Sequence, residues 1–164
     1  RGVHDGRRRA FDGFEHDDTG WRFGHPGNRG GRWVGGGAIE VFRCVDAVIR
    51  SNTIVNTEAG AGLFVSSCDD AVVEENLVAF GTSFGFRWLN STGTASCNNA
   101  YENVGGNYVQ PPVAEPGFEL APEFCDDATG DYRLRPASPC AAENNDCGAR
   151  IGALDAGCFA ARRP

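Results

Sequence analysis

Gly37-Ala38-Ile39-Glu40-Val41 and Ala61-Gly62-Leu63-Phe64-Val65 are one line of text written twice. Each position of the second stands 24 residues after its counterpart in the first, and the same offset carries Cys44 onto Cys68, Ala47 onto Ala71, Ile49 onto Val73, Asn52 onto Asn76 and Ile54 onto Val78. A third copy opens at Gly85-Phe86-Arg87-Trp88, one residue early, and its Asn is placed at Asn103 by reading Ser91 to Ala95 as a short insertion. A fixed period in the low twenties is the mark of a solenoid, in which no unit buries its own apolar face and stacking does so instead.

Within each copy Ile39 and Val41 alternate with Ala38, Glu40 and Phe42, and Leu63 with Val65 and Phe86 with Trp88 repeat the pattern. This period of two describes a strand with one buried face. Ala47 with Ile49, matched by Ala71 with Val73, suggests a second strand per copy, followed by an Asn and one more aliphatic. Strands of successive coils stack about 4.8 Å apart, so equivalent residues form columns. Asn tolerates the left-handed backbone of a sharp corner, and stacked Asn amides are able to hydrogen-bond from coil to coil. Cys44 and Cys68 are placed for a bridge between coils, or else form a buried column of free thiols. Gly105-Gly106 reads as the end of regular coiling.

Around this centre the chain divides in three. Residues 1–34 hold His4, His16 and His25 and show neither strand nor helix periodicity. His4-Asp5, His16-Asp17-Asp18 and His25 offer metal-ligating residue types without a spacing that fixes geometry, so the segment reads as an irregular, solvated arm. Residues 35–110 are the coils. Residues 111–164, rich in Pro, Asp and Cys, read as a cap and tail whose Phe118, Leu120, Phe124, Tyr132 and Leu134 cover the exposed end of the solenoid. Cys140 and Cys147 enclose a short loop and are the first choice for a bridge, with Cys125 and Cys158 the second.

Composition narrows the function. The chain has 164 residues, 41% of them hydrophobic, which supports one domain with a real core. A net charge of -7 lacks the basic footprint of a nucleic-acid surface. No apolar run is long enough to span a membrane, and no signal-peptide core is present. The sequence has no Met, which marks a processed product or a fragment. Seven Cys with no CxxC pair, and no His after His25, favour an oxidising compartment over a zinc site.

GGAIEVFRC with SNTIVN, GLFVSSC with EENLVAF, and SCNNAYENVGGNY resemble the repeats of right-handed parallel β-helix proteins with the pectin-lyase-like fold. The run from Glu115 to Cys158, with its EFCDDATGDYRLRPASPC and CGARIGA, is similar to the closing segment of secreted bacterial β-helix proteins. The fold implied is all-β: about three coils of right-handed parallel β-helix with an irregular, disulfide-bearing C-terminal cap. The resemblance also implies carbohydrate chemistry. A pectate-lyase-like site would cast Asp46, Asp69 and Asp70 as Ca²⁺ ligands and Arg50 or Arg87 as base, but Asp46 and Asp70 occupy equivalent turns and read as solvated carboxylates. A polygalacturonase-like set is mostly absent: Asp69-Asp70 matches one part, Ser51-Asn52-Thr53 lacks the Asp of another, and there is no Lys. Glu74-Glu75 are neighbours on a strand and point to opposite faces.

No residue is therefore assigned a catalytic, cofactor-binding or metal role. The expected function is a non-catalytic structural or recognition module of a secreted or cell-surface bacterial β-helix protein, located outside the cell. Its expected partners are a polysaccharide or surface glycan and further coils of a longer parent chain, with no nucleic acid. A polysaccharide lyase or hydrolase is the alternative. The outward column Glu40, Phe64 and Arg87 offers an aromatic ring to a sugar, or packs a loop.

Overall fold

The 24-residue period folds as a parallel solenoid of about three turns. The computed structural model describes the strand Ala10–Asp12 and residues 38–158. In chain order β1 is Ala10–Asp12; the first coil holds β2 (Ile39–Phe42), β3 (Val48–Arg50) and β4 (Thr53–Val55); the second holds β5 (Leu63–Ser66), β6 (Ala71–Glu74) and β7 (Leu77–Ala79). The third holds β8 (Phe84–Leu89), β9 (Gly93–Ser96) and β10 (Asn98–Tyr101), and the path runs on through β11 (Gly106–Val109) and β12 (Gly117–Phe118). An antiparallel hairpin of β13 (Phe124–Asp126) and β14 (Asp131–Leu134) follows.

Three parallel sheets make the walls: β2-β5-β8-β11, β1-β3-β6-β9 and β4-β7-β10-β12. The pairing follows the sequence columns. Ile39 lies beside Leu63 and Leu63 beside Phe86, while Val41, Val65 and Trp88 form the next column. Ile49, Val73 and Ala95 line the second wall, and Ile54, Val78 and Ala100 the third. These inward side chains form one core cluster. It is finished by Tyr108, whose ring stacks on Phe86 at 5.1 Å. The Tyr108 hydroxyl lies 2.9 Å from the Asn98 carbonyl and 3.1 Å from that of Phe118, one donor shared by two acceptors. Its burial raises its pKa above the ordinary tyrosine value.

Corners between walls are made by non-glycine residues with left-handed backbone. Arg43, Ser67 and Asn90 turn the chain out of the first wall at φ 51°, 54° and 48°, and Ser51, Glu75 and Cys97 turn it out of the second at 54°, 58° and 53°. The Asn of the repeat does not take this conformation, contrary to the sequence expectation. It stands one residue later and points inward: Asn52, Asn76 and Asn98 are buried. The Asn52 Nδ2 donates to Asn76 Oδ1 at 2.9 Å, Asn76 Nδ2 to Asn98 Oδ1 at 3.1 Å, and Asn98 Nδ2 to the Pro116 carbonyl at 3.0 Å. Each Oδ1 also accepts the backbone N–H of the Asn one coil earlier, at 3.1 and 3.0 Å. The ladder therefore satisfies backbone that the corner removes from sheet pairing.

Two expectations about the third coil are corrected here. Its ladder residue is Asn98, 22 positions after Asn76, so the coil is shortened and carries no insertion. Asn103 serves another corner, where its Oδ1 accepts Gly81 N–H at 3.0 Å and its Nδ2 reaches Asn107 Oδ1 at 2.9 Å. Coiling does not stop at Gly105-Gly106 either, because β11 pairs with β8 and β12 with β10 in parallel. Of the N-terminal arm, Ala10–Asp12 pairs in parallel with Val48–Arg50 as an added rung; the rest of 1–34 lies outside the described residues.

Asn76 is fully buried and bonded on both sides. Asn76→Ala is expected to cost about 1–3 kcal/mol, because it takes the acceptor from the Asn52 N–H and Nδ2 and a donor from the Ile49, Glu74 and Asn98 oxygens. Urea unfolding read by circular dichroism checks this; an unchanged midpoint would remove the ladder from the account of stability.

Candidate functional site

The candidate site residues are distributed over two walls and the corner between them. Asp46 and Asp70 both sit in left-handed turns at φ 55°, and both are exposed, as is Asp69. Backbone bonds tie this corner together: Asp46 N–H donates to the Asp69 carbonyl at 3.0 Å and Asp69 N–H to the Cys44 carbonyl at 2.8 Å. Among the described residues no group of three or more His, Cys, Asp or Glu is arranged to hold a metal ion. His4, His16 and His25, with Asp5, Asp17 and Asp18, lie outside the described residues.

The two candidate bases face different walls. Arg50 lies on the outside of the second wall and is paired with the Glu74 carboxylate one coil on. Glu75, in its left-handed corner, accepts a hydrogen bond from the Ser51 hydroxyl at 3.1 Å. Arg87 lies on the outside of the first wall, in the column Glu40–Phe64–Arg87 read from the sequence. Its guanidinium carbon stands 5.3 Å from the Phe64 ring and 5.1 Å from that of Phe84. Phe42, 61% exposed, carries Arg43 over its ring at 4.9 Å on the same wall. A guanidinium over an aromatic face gains quadrupole attraction while keeping its charge. The first wall thus presents three Phe rings, each already covered on one side by an Arg.

The third wall is closed by the C-terminal segment. Leu77, Val78 and Ala79 are all fully buried, with Val78 facing the coil interior and Leu77 and Ala79 facing a second cluster outside it. That cluster contains Phe124, Leu134, Cys140 and Ile151, with Phe118 and Tyr132 packed against it. The expected cap residues are present, except that Leu120 stays 52% exposed. They lie along the side of the solenoid, where the sequence reading placed them across its end. The segment reaches back as far as the first coil: Gly152 N–H donates to the Glu75 carbonyl at 2.7 Å, Ala153 N–H to Thr53 Oγ1 at 2.9 Å and Asn56 Nδ2 to the Tyr132 hydroxyl at 2.8 Å. Gly152 is required at this contact. Its φ is 100°, and a Cβ there would stand 2.5 Å from Thr53 Oγ1.

Three disulfides fasten the arrangement. Cys44–Cys68 joins equivalent positions of the first two coils with a Cα separation of 4.5 Å, which settles the alternatives left open for that column. Cys125–Cys158 ties the hairpin to the last described residue, as the second-choice pairing expected. The first-choice pairing is overturned: Cys147 bonds to Cys97 at the corner of the third coil, and Cys140 is free and buried. Sequence proximity favours Cys140 with Cys147, but the packing of the tail on the third wall brings Cys97 to the same place. Scans of protein-family models, curated proteins and solved structures each returned no match to this chain.

Two measurements test this geometry. Ile151 is fully buried between tail and wall, so Ile151→Ala is expected to cost about 2–5 kcal/mol in urea unfolding. In the hairpin, Arg133 Nε donates to Asp131 Oδ1 at 2.8 Å, and this bond holds the Asp131 pKa below the usual carboxylate range. A depressed folded-state value contributes stability above the unfolded pKa of about 3.9, and the contribution is lost as the pH falls through the lower folded value. Asp131→Asn is expected to flatten the acid limb of the stability profile below about pH 4, measured as urea midpoints across that range.

Proposed function

We propose that this chain is a non-catalytic structural or recognition module of a secreted or cell-surface protein of the pectin-lyase-like β-helix kind, with a polysaccharide as the partner class to test. The observation that carries the reading is the occupation of the candidate bases. Arg50 is neutralised by Glu74 on the second wall, and Arg87 is laid between Phe64 and Phe84 on the first. Among the described residues neither is joined by a hydrogen bond or ion pair to Asp46, Asp69 or Asp70, and a proton-abstracting base must stand within hydrogen-bond reach of the substrate that such carboxylates would help to hold. Three disulfides support an oxidising location, and among the described residues no helix is long and apolar enough to cross a membrane. The repeat and tail motifs that resemble secreted bacterial β-helix proteins point the same way.

On this reading the ligand surface is the first wall. Its Phe42, Phe64 and Phe84 rings offer flat apolar faces, and Arg43 and Arg87 offer donors for hydroxyl or carboxylate oxygens. Sugar rings present apolar C–H faces that match such platforms.

The test is a screen of the purified chain against acidic and neutral polysaccharides, with and without Ca²⁺, reading retention and product release together. The expected result is retention without product, weakened by Phe42→Ala and by Arg87→Ala. Product that disappears in Arg50→Ala or Arg87→Ala would overturn the reading and establish a lyase. No retention on any polysaccharide would leave the structural half of the proposal and remove the recognition half.

A further inference from the structure

Seven cysteines and three bridges leave one thiol, and its position is not neutral. Cys140 lies in the apolar cluster that also takes in Cys97 and Cys147, on the outside of the third wall. Its Sγ is 3.2 Å from Asn99 Nδ2. Cys97 turns the corner immediately before β10, the strand that carries Asn99, and packs against the same cluster. The Cys140 sulfur and the Cys97 end of the bridge therefore meet the same apolar cluster.

Cys147 is held close to Cys140 by one side chain. The Asn145 Nδ2 faces the Pro139 carbonyl at 3.1 Å, the Ala141 carbonyl at 2.8 Å and the Ala149 carbonyl at 3.0 Å, while its Oδ1 accepts the Cys147 N–H at 3.1 Å. Both neighbours of Cys140 in the chain are thus tied to the residue that also holds Cys147. Cys147 has one partner on the coil and a second candidate inside its own loop.

We propose that Cys97, Cys140 and Cys147 form a disulfide-exchange latch that moves the anchor of the C-terminal segment. The Cys140 thiolate attacks the Cys147 sulfur; the Cys140–Cys147 bond forms as the Cys97–Cys147 bond breaks, and Cys97 leaves as a thiolate that takes up the proton Cys140 gave up. One disulfide and one thiol stand on each side of the step, so no oxidant or reductant is consumed. The product keeps the same number of bridges, but the coil and the segment on its third wall are no longer covalently joined through Cys97. Burial pushes the Cys140 thiol up to about 11, against the lowering effect of its hydrogen bonds with Asn99 and Ser138, so the latch stays closed in the packed state near neutral pH. It opens when the segment lifts from the wall and the thiol meets water, where its ordinary value is about 8.5.

The test uses the full chain and non-reducing peptide mapping after acid quench and alkylation. At neutral pH the map is expected to show Cys97 joined to Cys147, with Cys140 alkylated only after denaturation. At about pH 9 in urea below the unfolding midpoint, without added thiol, a Cys140–Cys147 peptide is expected to appear and the label to move to Cys97. Cys140→Ser should abolish the change. Cys97→Ser, folded under the same oxidation by glutathione disulfide that forms the other two bridges, should close Cys140 with Cys147 directly and leave no titratable thiol in the denatured chain. A wild-type chain that at about pH 9 in urea still labels at Cys140 while Cys97 remains bridged would overturn the latch, as would two free thiols in the Cys97→Ser chain.

Discussion

A coil that turns sharply three times per circuit must withdraw backbone groups from sheet pairing at every corner. The structure depends on how those groups are satisfied. In this chain the asparagine after each left-handed corner of the second wall points inward and bonds to its equivalent one coil on. Its amide donates onward, and its carbonyl accepts the backbone N–H from the coil before, so a single side chain closes accounts in two directions. The chain of donors runs one way, from Asn52 to Asn76 to Asn98, and ends on the Pro116 carbonyl. Register follows from this. A slip of one residue would turn the asparagines and the aliphatic columns outward together and break the ladder.

The parts of the fold repeated in sequence were legible there, because in-register stacking converts a period into a contact list. The columns of Ile39, Leu63 and Phe86 and of Val41, Val65 and Trp88 follow directly, as does the outward set of Glu40, Phe64 and Arg87. Failures cluster where the period changes. The sequence points to Asn103 as the third ladder residue because Asn98 falls two positions short of the 24-residue beat. The shortening is local: β8 already pairs with β5 one residue early, and Gly93 comes within reach of Ala71 in a way that no side chain would permit.

The side-on seat of the C-terminal segment was the larger miss, and one signal for it existed. Leu77-Val78-Ala79-Phe80 is a run of four apolar residues, one longer than Leu63-Phe64-Val65 on the first wall. An uninterrupted apolar strand is covered on both faces. That run announces a second layer outside the third wall, and the segment carrying Phe124, Leu134 and Ile151 supplies it. The same packing explains why the cysteine pairing could not be read from loop length. Cys97 and Cys147 are 50 residues apart and meet only once the tail has docked. The candidate site was legible as residues but not as an arrangement, since nothing in the sequence says that Arg50 meets Glu74 or that Arg87 settles between two rings.

Two columns of this solenoid obey different arithmetic. The asparagine ladder is open-ended: each member needs only one neighbour ahead and one behind, so a further coil slots in by repetition. The cysteine column is not. Cys44 and Cys68 saturate one another, and the third coil places Ser91 in that row, its hydroxyl accepting the Cys68 N–H much as the Cys68 sulfur lies 3.3 Å from the Cys44 nitrogen. A gene that grows by duplicating single coils would therefore strand an unpaired thiol at each odd step. Lengthening by pairs of coils, or with a serine at the odd rung, is the route that leaves the wall chemically quiet.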